Sequence, residues 1–530
     1  MLRTRAEAAF ERAALLLTGP EFAAARARLD DIRRGFAAGL HVVLLGRVSA
    51  GKSTLVNALL EEDRAPTGST ELTFHVTRLH HAPDATLTLH YRDGRPPRTG
   101  SPDDFRTLVT RAHHDPDRHA ELRAVDHLDL GLPNRHLTHF DLVDTPGLDS
   151  WLGEDSARTL RFLGRTGADV RTATVDHAGR ADALVLVLAS GLAESEERLL
   201  EDVTGTGLRG VEPLTAVGAL TKTEYYWPSC PDPLAEGRRV AHRLMHRSGA
   251  HRTLFDLVPV ASLLATGATA ATPAEMTDLT ELATVEPAVL TARVRRGPYF
   301  ATRDYADLPL PPERRRALLE RFGGYGTVLA CRLIRDGLTD TTALRDELLR
   351  RSNIPRLRTL LLEHFGNRAD AVKLDHAVRE AETLPDLAGT GTDTWVRWHI
   401  EEATGEIARL RLTEHVFQEL VLLRRVYDGS LTLTPAETAE ILTVTGERGG
   451  TPCERLGLNG SAHPDTLVRT ALRRQAYWAA VDLDAARTPE TAEAARIVRR
   501  CYDLLLDRVQ GAPMPHDTRG AHENIGRSHP

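Results

Sequence analysis

The sequence predicts an α/β domain with a mostly parallel β-sheet, carried on an antiparallel bundle of α-helices. Three observations lead to this prediction. Short apolar runs alternate with helical stretches in the first half of the chain, these runs stop after about Thr272, and long amphipathic patterns fill the region after residue 394. Apolar strands that alternate with helices are typical of a parallel sheet, and helices without intervening strands pack on one another.

Five runs in the first half of the chain have the character of buried strands. Each spans four to seven positions and is mainly aliphatic, as expected for strands covered on both faces. The five predicted strands are His41–Leu45, Phe140–Val143, Ala183–Ala189, Leu214–Leu220 and Leu257–Ala261.

Helical patterns occupy both ends of the chain. An apolar stripe with spacings of three and four runs through the opening segment, at Phe22, Ala25, Leu29, Ile32 and Phe36. We predict N-terminal helices at 1–38 that join the bundle, an α/β domain at 39–366, a helical bundle at 367–510 and a disordered polar tail at 511–530.

Composition narrows the class of protein. The chain has 530 residues, which is too long for one core, and a net charge of −7, which disfavours nucleic acid as a partner. No apolar run approaches the roughly 20 residues of a membrane span. The four cysteines have no paired spacing, so we expect a reducing, cytoplasmic location and neither a disulfide framework nor a zinc motif.

A phosphate-binding loop is predicted between the first strand and the helix after it. Residues 46–53 read GRVSAGKS and fit the pattern GxxxxGK[ST] in its required strand–loop–helix context. Gly46 and Gly51 let successive N–H groups point at one phosphate. Lys52 supplies a charge between the β- and γ-phosphates, and the Ser53 hydroxyl is a ligand for Mg²⁺. The expected nucleotide contacts are Gly46, Val48, Ser49, Ala50, Gly51, Lys52, Ser53 and Thr54.

Two further motifs complete the predicted phosphate site. Asp144, in the DTPG sequence that follows a strand, is expected to hold Mg²⁺, and the Gly147 N–H is expected to sense the γ-phosphate. Thr73 is the candidate for a mobile switch that closes over Mg²⁺. Thr70 and Thr77 are alternatives for this role, because they lie in the same segment.

The base of the nucleotide is predicted to contact the sequence Thr221-Lys222-Thr223-Glu224. It resembles the guanine-reading [NT]KxD motif, in which the lysine stem lies along the base and a carboxylate accepts from guanine N1–H and N2–H₂. Adenine lacks that donor pair, so the carboxylate selects guanine. Glu224 is one methylene longer than the usual aspartate. The backbone N–H of Ser262 is the candidate for reading guanine O6.

These motifs together resemble the bacterial dynamin-like GTPases. The stretches that carry the likeness are GRVSAGKSTLVNALL, APTGSTELT, LVDTPGLDS and LTKTEYYW. The stretch from LLERFGGYG to LLLEHFGNRAD is most similar to the isoniazid-inducible dynamin-like proteins of the IniC and IniA type. The likeness extends from about residue 5 to residue 510, and only loosely over the last 140 residues or so.

The resemblance implies a dynamin-type G domain at 39–366 on a helical neck and trunk. It implies that GTP is bound and hydrolysed to GDP with Mg²⁺, and that hydrolysis is coupled to oligomerisation and membrane remodelling or maintenance. The implied partners are a second copy through the G domains, a paralogous dynamin-like protein and membrane lipid at the inner face of the cell membrane.

One alternative is a nucleotide-gated accessory subunit with little or no hydrolysis. A second, an RNA-binding regulatory GTPase, fits poorly with the acidic balance.

Two positions lack a glutamine that could orient water. Dynamins usually carry a glutamine where this chain has Val48, a position at which many bacterial relatives also have an apolar residue, and Ras-like enzymes carry one where this chain has Leu148. The resemblance therefore assigns catalysis to Ser49, Lys52 and Thr73, and we predict slow hydrolysis that depends on dimerisation or a partner. No metal other than Mg²⁺ is expected. Residues 428–460 are expected to be either a connecting loop or a membrane-contacting tip.

Overall fold

The computed structural model describes residues 2–65, 75–105, 124–146, 181–189, 213–247, 250–388, 394–458, 460 and 462–510. The chain divides into two compact units, residues 1–411 and 412–530. This division falls at a different place from the boundaries expected after residues 38, 366 and 510, and those domain boundaries stay a prediction. None of the helices in the described ranges has both the length and the apolar character needed to cross a bilayer.

A nine-stranded sheet forms the centre of the first unit. The strands are β1 (Leu40–Gly46), β2 (Val76–His81), β3 (Thr86–Tyr91), β4 (Arg98–Gly100), β5 (Val125–Leu132), β6 (Phe140–Asp144), β7 (Ala183–Ala189), β8 (Ala216–Thr221) and β9 (Leu257–Pro259). Their order is β4-β3-β5-β2-β6-β1-β7-β8-β9. The run β6-β1-β7-β8-β9 is parallel, whereas β2 is antiparallel to β6 and β3 is antiparallel to β4 and β5.

The predicted fold class is confirmed, and three of the four strands that sequence analysis missed are amphipathic. All five predicted strands correspond to strands of the parallel run. The missed strands β2, β3 and β5 read VTRLHH, TLTLHY and VDHLDLGL. Their alternation of apolar with polar residues is the period-two signal of a strand with one polar face. A search limited to continuous aliphatic runs could not detect it.

Thirteen helices accompany the sheet up to the end of the first unit, among the residues that are described. They are α1 (Leu2–Leu16), α2 (Ala23–Ala37), α3 (Lys52–Leu60), α4 (Pro233–Arg247), α5 (Ser262–Ala270), α6 (Pro273–Ala283), α7 (Pro287–Val294), α8 (Pro298–Thr302), α9 (Pro312–Arg335), α10 (Thr341–Arg351), α11 (Ile354–Leu360), α12 (Ala369–Glu382) and α13 (Thr394–Thr413). Buried residues of α3 and α11 pack on one face of the sheet, and those of α4 pack on the other. Helices α5 to α10 share a separate apolar core.

The N-terminal helices pack against helices that follow the sheet in sequence. Arg3 of α1 pairs with Asp370 of α12 at 2.7 Å, and Arg28 of α2 pairs with Glu380 of α12 at 3.1 Å. Arg12 of α1 also pairs with Glu406 of α13. The two ends of the first unit are therefore joined beside the sheet.

In the second unit, the described residues up to 510 form five further helices. They are α14 (His415–Tyr427), α15 (Pro435–Val444), α16 (Pro452–Arg455), α17 (Pro464–Leu483) and α18 (Pro489–Gln510). The last two are joined by residues 484–488 and lie side by side. One apolar core includes residues of all of them except α16, whose Cys453 packs against its edge.

The expectation of a plain connecting loop at residues 428–460 was wrong, whereas membrane contact by this segment stays a prediction. The segment contains α15 and α16, and Ile441 and Val444 are fully buried in the core. Leu431 and Leu433, the residues that a membrane tip would expose, pack against that core. Each helix begins with a capping box, in which a threonine and the glutamate three positions later exchange hydrogen bonds with the backbone. The repeated T-P-x-E sequence was the available signal.

A buried ion pair joins three elements at the end of the sheet where β1 begins. Lys373 of α12 donates to the carbonyls of Ala38 and Gly39, both at 2.7 Å, and its Nζ lies 3.5 Å from Asp182 Oδ2. The same carboxylate oxygen accepts from the His41 N–H at 2.9 Å. Burial raises the pKa of Asp182 to about 6, although Lys373 opposes the shift.

Replacement of Lys373 by methionine should destabilise the protein by about 3–5 kcal/mol, because Asp182 then lacks its buried partner. Without the cation, the folded-state pKa of Asp182 rises further above its unfolded value. At pH 5 the Asp182 carboxyl of the folded variant is therefore protonated, and less stability is lost. The unfolding free energy of the variant should then fall as the pH rises to 8.

Urea unfolding of Lys373→Met at both pH values measures this effect. The double variant Lys373→Met/Asp182→Asn is the control, because it removes both charges and should lose the added pH dependence. An equal loss of stability at pH 5 and pH 8 in the single variant would contradict the ion-pair interpretation.

Candidate nucleotide-binding site

The loop between β1 and α3 has the backbone geometry that a phosphate site needs. A Cβ atom at Gly46 would lie 2.5 Å from the carbonyl oxygen of Val187 on β7, so only glycine fits there. Ser49 and Gly51 have positive φ angles of 60° and 96°. Ala50 is buried and Ser49 is exposed at the tip of the loop. The loop thus turns tightly against the sheet and opens the N-terminus of α3, where unpaired N–H groups attract anions.

Lys52 is held inside this loop. Its ammonium donates to the carbonyls of Gly46 at 3.0 Å and Arg47 at 2.9 Å, and the side chain is buried. These loop carbonyls hold the cation in place, near the α3 N-terminus where a phosphate would bind.

Ser53 and Asp144, the two predicted metal ligands that the structure describes, contact each other. The Ser53 hydroxyl donates to Asp144 Oδ2 at 3.0 Å. The other carboxylate oxygen, Oδ1, is buried and has no hydrogen-bond partner within the described ranges. Burial raises the pKa of Asp144, while Lys52 and the Ser53 hydroxyl lower it. A hydroxyl and a carboxylate that converge at the phosphate loop are suited to Mg²⁺, which prefers oxygen ligands.

Thr221 connects the phosphate loop to the predicted base-reading turn. Its hydroxyl hydrogen-bonds the Ala50 carbonyl at 2.5 Å and lies 3.1 Å from the Leu188 carbonyl. The next residue, Lys222, has a left-handed conformation with φ 59°, which turns the chain sharply at the end of β8. A short 3₁₀ helix, Thr223–Tyr226, follows.

Glu224 lies at the N-terminus of α5. Its Oε1 accepts from the Leu263 N–H at 3.1 Å, whereas Oε2 is buried without a hydrogen-bond partner in the described part of the chain. Burial raises the pKa of this carboxyl to about 7. Ser262, the first residue of α5, is buried, and its hydroxyl has no partner among the described residues either. The extra methylene of glutamate therefore reaches the helix N-terminus and leaves one oxygen available for a ligand.

The loop before α5 is braced by residues that sequence analysis did not identify. Ser352 accepts through its carbonyl from the Ala261 N–H at 2.9 Å, and the Asn353 amide donates to the Pro259 carbonyl at 2.8 Å. Asn353 has a φ angle of 64°. An asparagine directly before Ile-Pro is a turn signal that could have indicated this position.

Asn57, which sequence analysis also did not identify, fixes the residues directly before the predicted switch segment. Asn57 of α3 is buried, and its amide forms two hydrogen bonds with the backbone of Ala65, both at 2.7 Å. Its carbonyl oxygen also accepts from the Arg64 N–H at 2.9 Å. Residues 64 and 65 are therefore held against α3 immediately before the segment that contains Thr73.

Not every predicted site residue falls within the described ranges. Thr70, Thr73, Gly147 and Leu148 lie outside them. Val48 is half-buried in the loop and Thr54 lies in the first turn of α3. Thr77, an alternative for the switch threonine, is buried in β2 directly opposite Asp144.

Replacing Gly46 by alanine should weaken guanine nucleotide binding by about 10- to 100-fold. The added Cβ meets the backbone of β7, and strain of ~1–3 kcal/mol must then displace the loop. Titration with a fluorescent GDP analogue measures the change. Gly405→Ala is the matched control, because no atom lies within 4 Å of a Cβ at that helical position. Equal affinity of the Gly46 variant and the wild-type protein would refute this role for the loop.

The chain is similar to known proteins over most of its length. Residues 42–201 match the Dynamin family. The isoniazid-induced protein IniC of Mycobacterium tuberculosis is 30% identical over 486 residues, which cover 90% of this chain and 92% of that protein. Dynamin-like protein 2 of Campylobacter jejuni is 29% identical over 141 residues, 27% of this chain and 22% of that protein.

A solved structure of an oligomerised bacterial dynamin pair aligns with 95% of this chain and 90% of its own, at 11% identity and a TM-score of 0.33. The assignment of this chain to a family rests on two sequence matches. One is the long match to IniC, and the other is the match to the Dynamin family, which spans the phosphate loop and Asp144. This chain belongs to the dynamin family and is a bacterial dynamin-like GTPase.

Proposed function

We propose that this GTPase binds GTP between the phosphate loop and Glu224, hydrolyses it with Mg²⁺, and uses the cycle to drive assembly at a membrane. The observation that supports the site most strongly is a set of buried, unpartnered polar atoms among the described residues. Buried polar groups almost always find partners, yet Asp144 Oδ1, Glu224 Oε2 and Ser262 Oγ have none. Asp144 ends a strand, and Glu224 and Ser262 lie at the starts of helices. Three such atoms around one loop are expected of a site that a ligand completes.

At the phosphates, Lys52 would leave its loop carbonyls for the β- and γ-phosphate oxygens. Ser53 and Asp144 would hold Mg²⁺, and Thr73 would join them when the switch closes. Bound Mg²⁺ would neutralise charge on the β- and γ-phosphates. The fit is supported by the 3.0 Å contact between Ser53 and Asp144 and by the unpartnered carboxylate oxygen.

At the base, Glu224 would read guanine N1–H and N2–H₂ through Oε2. Its other oxygen stays on the Leu263 N–H, which fixes the carboxylate in one orientation. Lys222 would cover one side of the base, and the Ser262 N–H would donate to O6. Thr221 would hold the base-reading turn in position relative to the phosphate loop. Its hydrogen bond to the Ala50 carbonyl supports this role.

Catalysis would depend on the loop, the switch and a second molecule. Val48 offers no group that could orient the attacking water. Ser49 is exposed at the loop tip, where its hydroxyl could donate to the oxygen between the β- and γ-phosphates of a bound nucleotide. The Gly147 N–H would register the γ-phosphate. A partner G domain that covers this tip would exclude water and hold Ser49 in place.

Family membership supports the remaining parts of the proposal. We expect the G domains of two copies to pair across the nucleotide face. We expect a paralogous dynamin-like protein as a further partner, and peripheral contact with lipid at the cytoplasmic face of the cell membrane. The accessory-subunit alternative differs from this proposal in one measurable property, which is the absence of turnover.

The affinity for GDP should depend on pH through Glu224. Guanine donates to the ionised carboxylate, so a carboxyl with a pKa of about 7 must lose its proton before it can bind. Lowering the pH from 8 to 6 should therefore weaken GDP binding about tenfold. Glu224→Gln should bind GDP weakly, with a flatter pH profile and a reduced preference for GDP over ADP. A wild-type profile with no slope between pH 6 and 8 would contradict this role of Glu224.

GTP turnover per molecule should rise with protein concentration and with lipid. The reason is that the loop itself lacks a water-orienting side chain, so pairing must complete the site. Phosphate release can be followed over a hundredfold range of protein concentration, with and without vesicles of anionic phospholipid. Lys52→Ala, which should lose nucleotide binding, supplies the baseline. Fast, concentration-independent turnover would overturn the pairing proposal, and nucleotide binding without turnover would favour the accessory subunit.

A further inference from the structure

A compact polar cluster lies in the core of the second unit, far in sequence from the nucleotide site. His415 and Glu419 are four residues apart on α14, which brings both side chains to one face of the helix. Cys501 lies on α18 and is fully buried. Glu419 is buried as well, and His415 retains 11% side-chain exposure, which gives the cluster one opening to solvent.

The three side chains direct one potential ligand atom each to a common point. His415 Nε2 lies 3.3 Å from Cys501 Sγ, and Cys501 Sγ lies 3.3 Å from Glu419 Oε1. The third edge, between His415 Nε2 and Glu419 Oε1, is 3.9 Å. The ligand atoms of this group thus lie within the separation at which one ion can bind them all.

From these distances and ligand types, we propose that His415, Glu419 and Cys501 form a binding site for a divalent transition metal, with zinc as the best fit. Zinc in proteins binds imidazole nitrogen, carboxylate oxygen and thiolate sulfur at about 2.0–2.3 Å in tetrahedral geometry. Those lengths require separations of roughly 3.4–3.6 Å between ligand atoms. The two observed edges to sulfur, both 3.3 Å, are about 0.3 Å shorter than these values, and the nitrogen–oxygen edge of 3.9 Å is about 0.5 Å longer, so small side-chain shifts would complete the geometry.

A neighbouring group orients one of the ligands. The Arg455 guanidinium donates to Glu419 Oε1 at 2.6 Å and to the Val444 carbonyl at 2.5 Å, and it fixes the carboxylate in place. Hydrogen-bonding partners of this kind set the orientation of the ligands in metal sites.

Metal binding changes both the protonation and the charge of the cluster. The Cys501 thiol transfers its proton to solvent, a zinc–sulfur bond replaces the sulfur–hydrogen bond, and no electron is transferred. The neutral thiol and the Glu419 carboxylate carry a charge of −1 before binding, whereas Zn²⁺, thiolate and carboxylate sum to zero. The two anionic ligands thus neutralise the dication, which limits its repulsion from the nearby Arg455 guanidinium.

The metal would tie the first helix of the second unit to its last. His415 and Cys501 are 86 residues apart, so one ion would close most of the unit into a loop. Spacing along the sequence gives no sign of such a site, because the ligands come from two distant helices. This inference departs from the expectation that the scattered cysteines and histidines bind no metal, and it is independent of the proposed nucleotide cycle.

Cobalt titration of the full-length protein tests the site directly. Co²⁺ added to chelator-treated protein should produce thiolate-to-cobalt charge-transfer absorption that saturates at one equivalent and disappears when Zn²⁺ is added. Cys501→Ser should abolish the charge-transfer band. Cys453→Ser, a partly buried cysteine of the same unit, is the matched control and should leave it unchanged.

Two further measurements keep the test decisive if Cys501→Ser fails to fold. His415→Gln removes one ligand and should weaken Zn²⁺ binding more than about tenfold, since even the loss of a group that orients a ligand typically costs 10- to 100-fold in affinity. Zinc at a hundred times its Kd should also raise the thermal midpoint of the full-length wild-type protein, and chelator should reverse the gain. Absence of the charge-transfer band, or a band of full intensity in folded Cys501→Ser, would overturn the proposal.

Discussion

The hydrogen bond from Thr221 to the Ala50 carbonyl joins the two halves of the nucleotide site. The phosphate loop follows β1 and the base-reading turn follows β8, and these strands are not neighbours because β7 lies between them. Gly46 makes the matching contact on the other side of the loop, since its missing Cβ leaves room for the Val187 carbonyl of β7. The loop is thus fixed to both strands, and the positions of Lys52, Ser53 and Glu224 depend on that attachment.

The sequence predicted the parts of the site whose geometry is local. A glycine-rich turn between a strand and a helix can adopt few shapes, so the positions of Gly46, Lys52 and Ser53 follow from the motif itself. The orientation of Glu224 could not be predicted in the same way. It depends on the N-terminus of α5, whose entry loop is held by Asn353, a residue 129 positions away in sequence. The strands β2, β3 and β5 were missed because their polar faces interrupt the aliphatic pattern, and β4 because its three residues, Arg98–Gly100, include no aliphatic one.

Some buried polar groups in this chain have their hydrogen-bond partners within the fold, and others keep an atom without one among the described residues. This difference separates structural groups from candidate binding groups. Lys373 is surrounded by carbonyls and a carboxylate that satisfy it, which is the arrangement of a structural connection. Asp144 and Glu224 each keep one buried oxygen without a partner among the described residues, at the place where the sequence motifs expect a nucleotide. The cluster around Cys501 is intermediate, because its members satisfy one another at distances that also suit a metal.

Arg358 of α11 connects a helix beyond the sheet to the helix that follows the phosphate loop. Its guanidinium donates to the Leu59 carbonyl at 2.9 Å and pairs with Glu61 at 2.8 Å, and so closes the C-terminal end of the helix that begins with Lys52. The anchoring residue comes 297 positions after Glu61. A fragment that ends after β9 would leave the Leu59 carbonyl without the Arg358 guanidinium and Glu61 with Arg135 as its arginine partner. A shortened version of this nucleotide-binding unit should therefore include the segment through α11, because that segment caps the helix that carries Lys52 and Ser53.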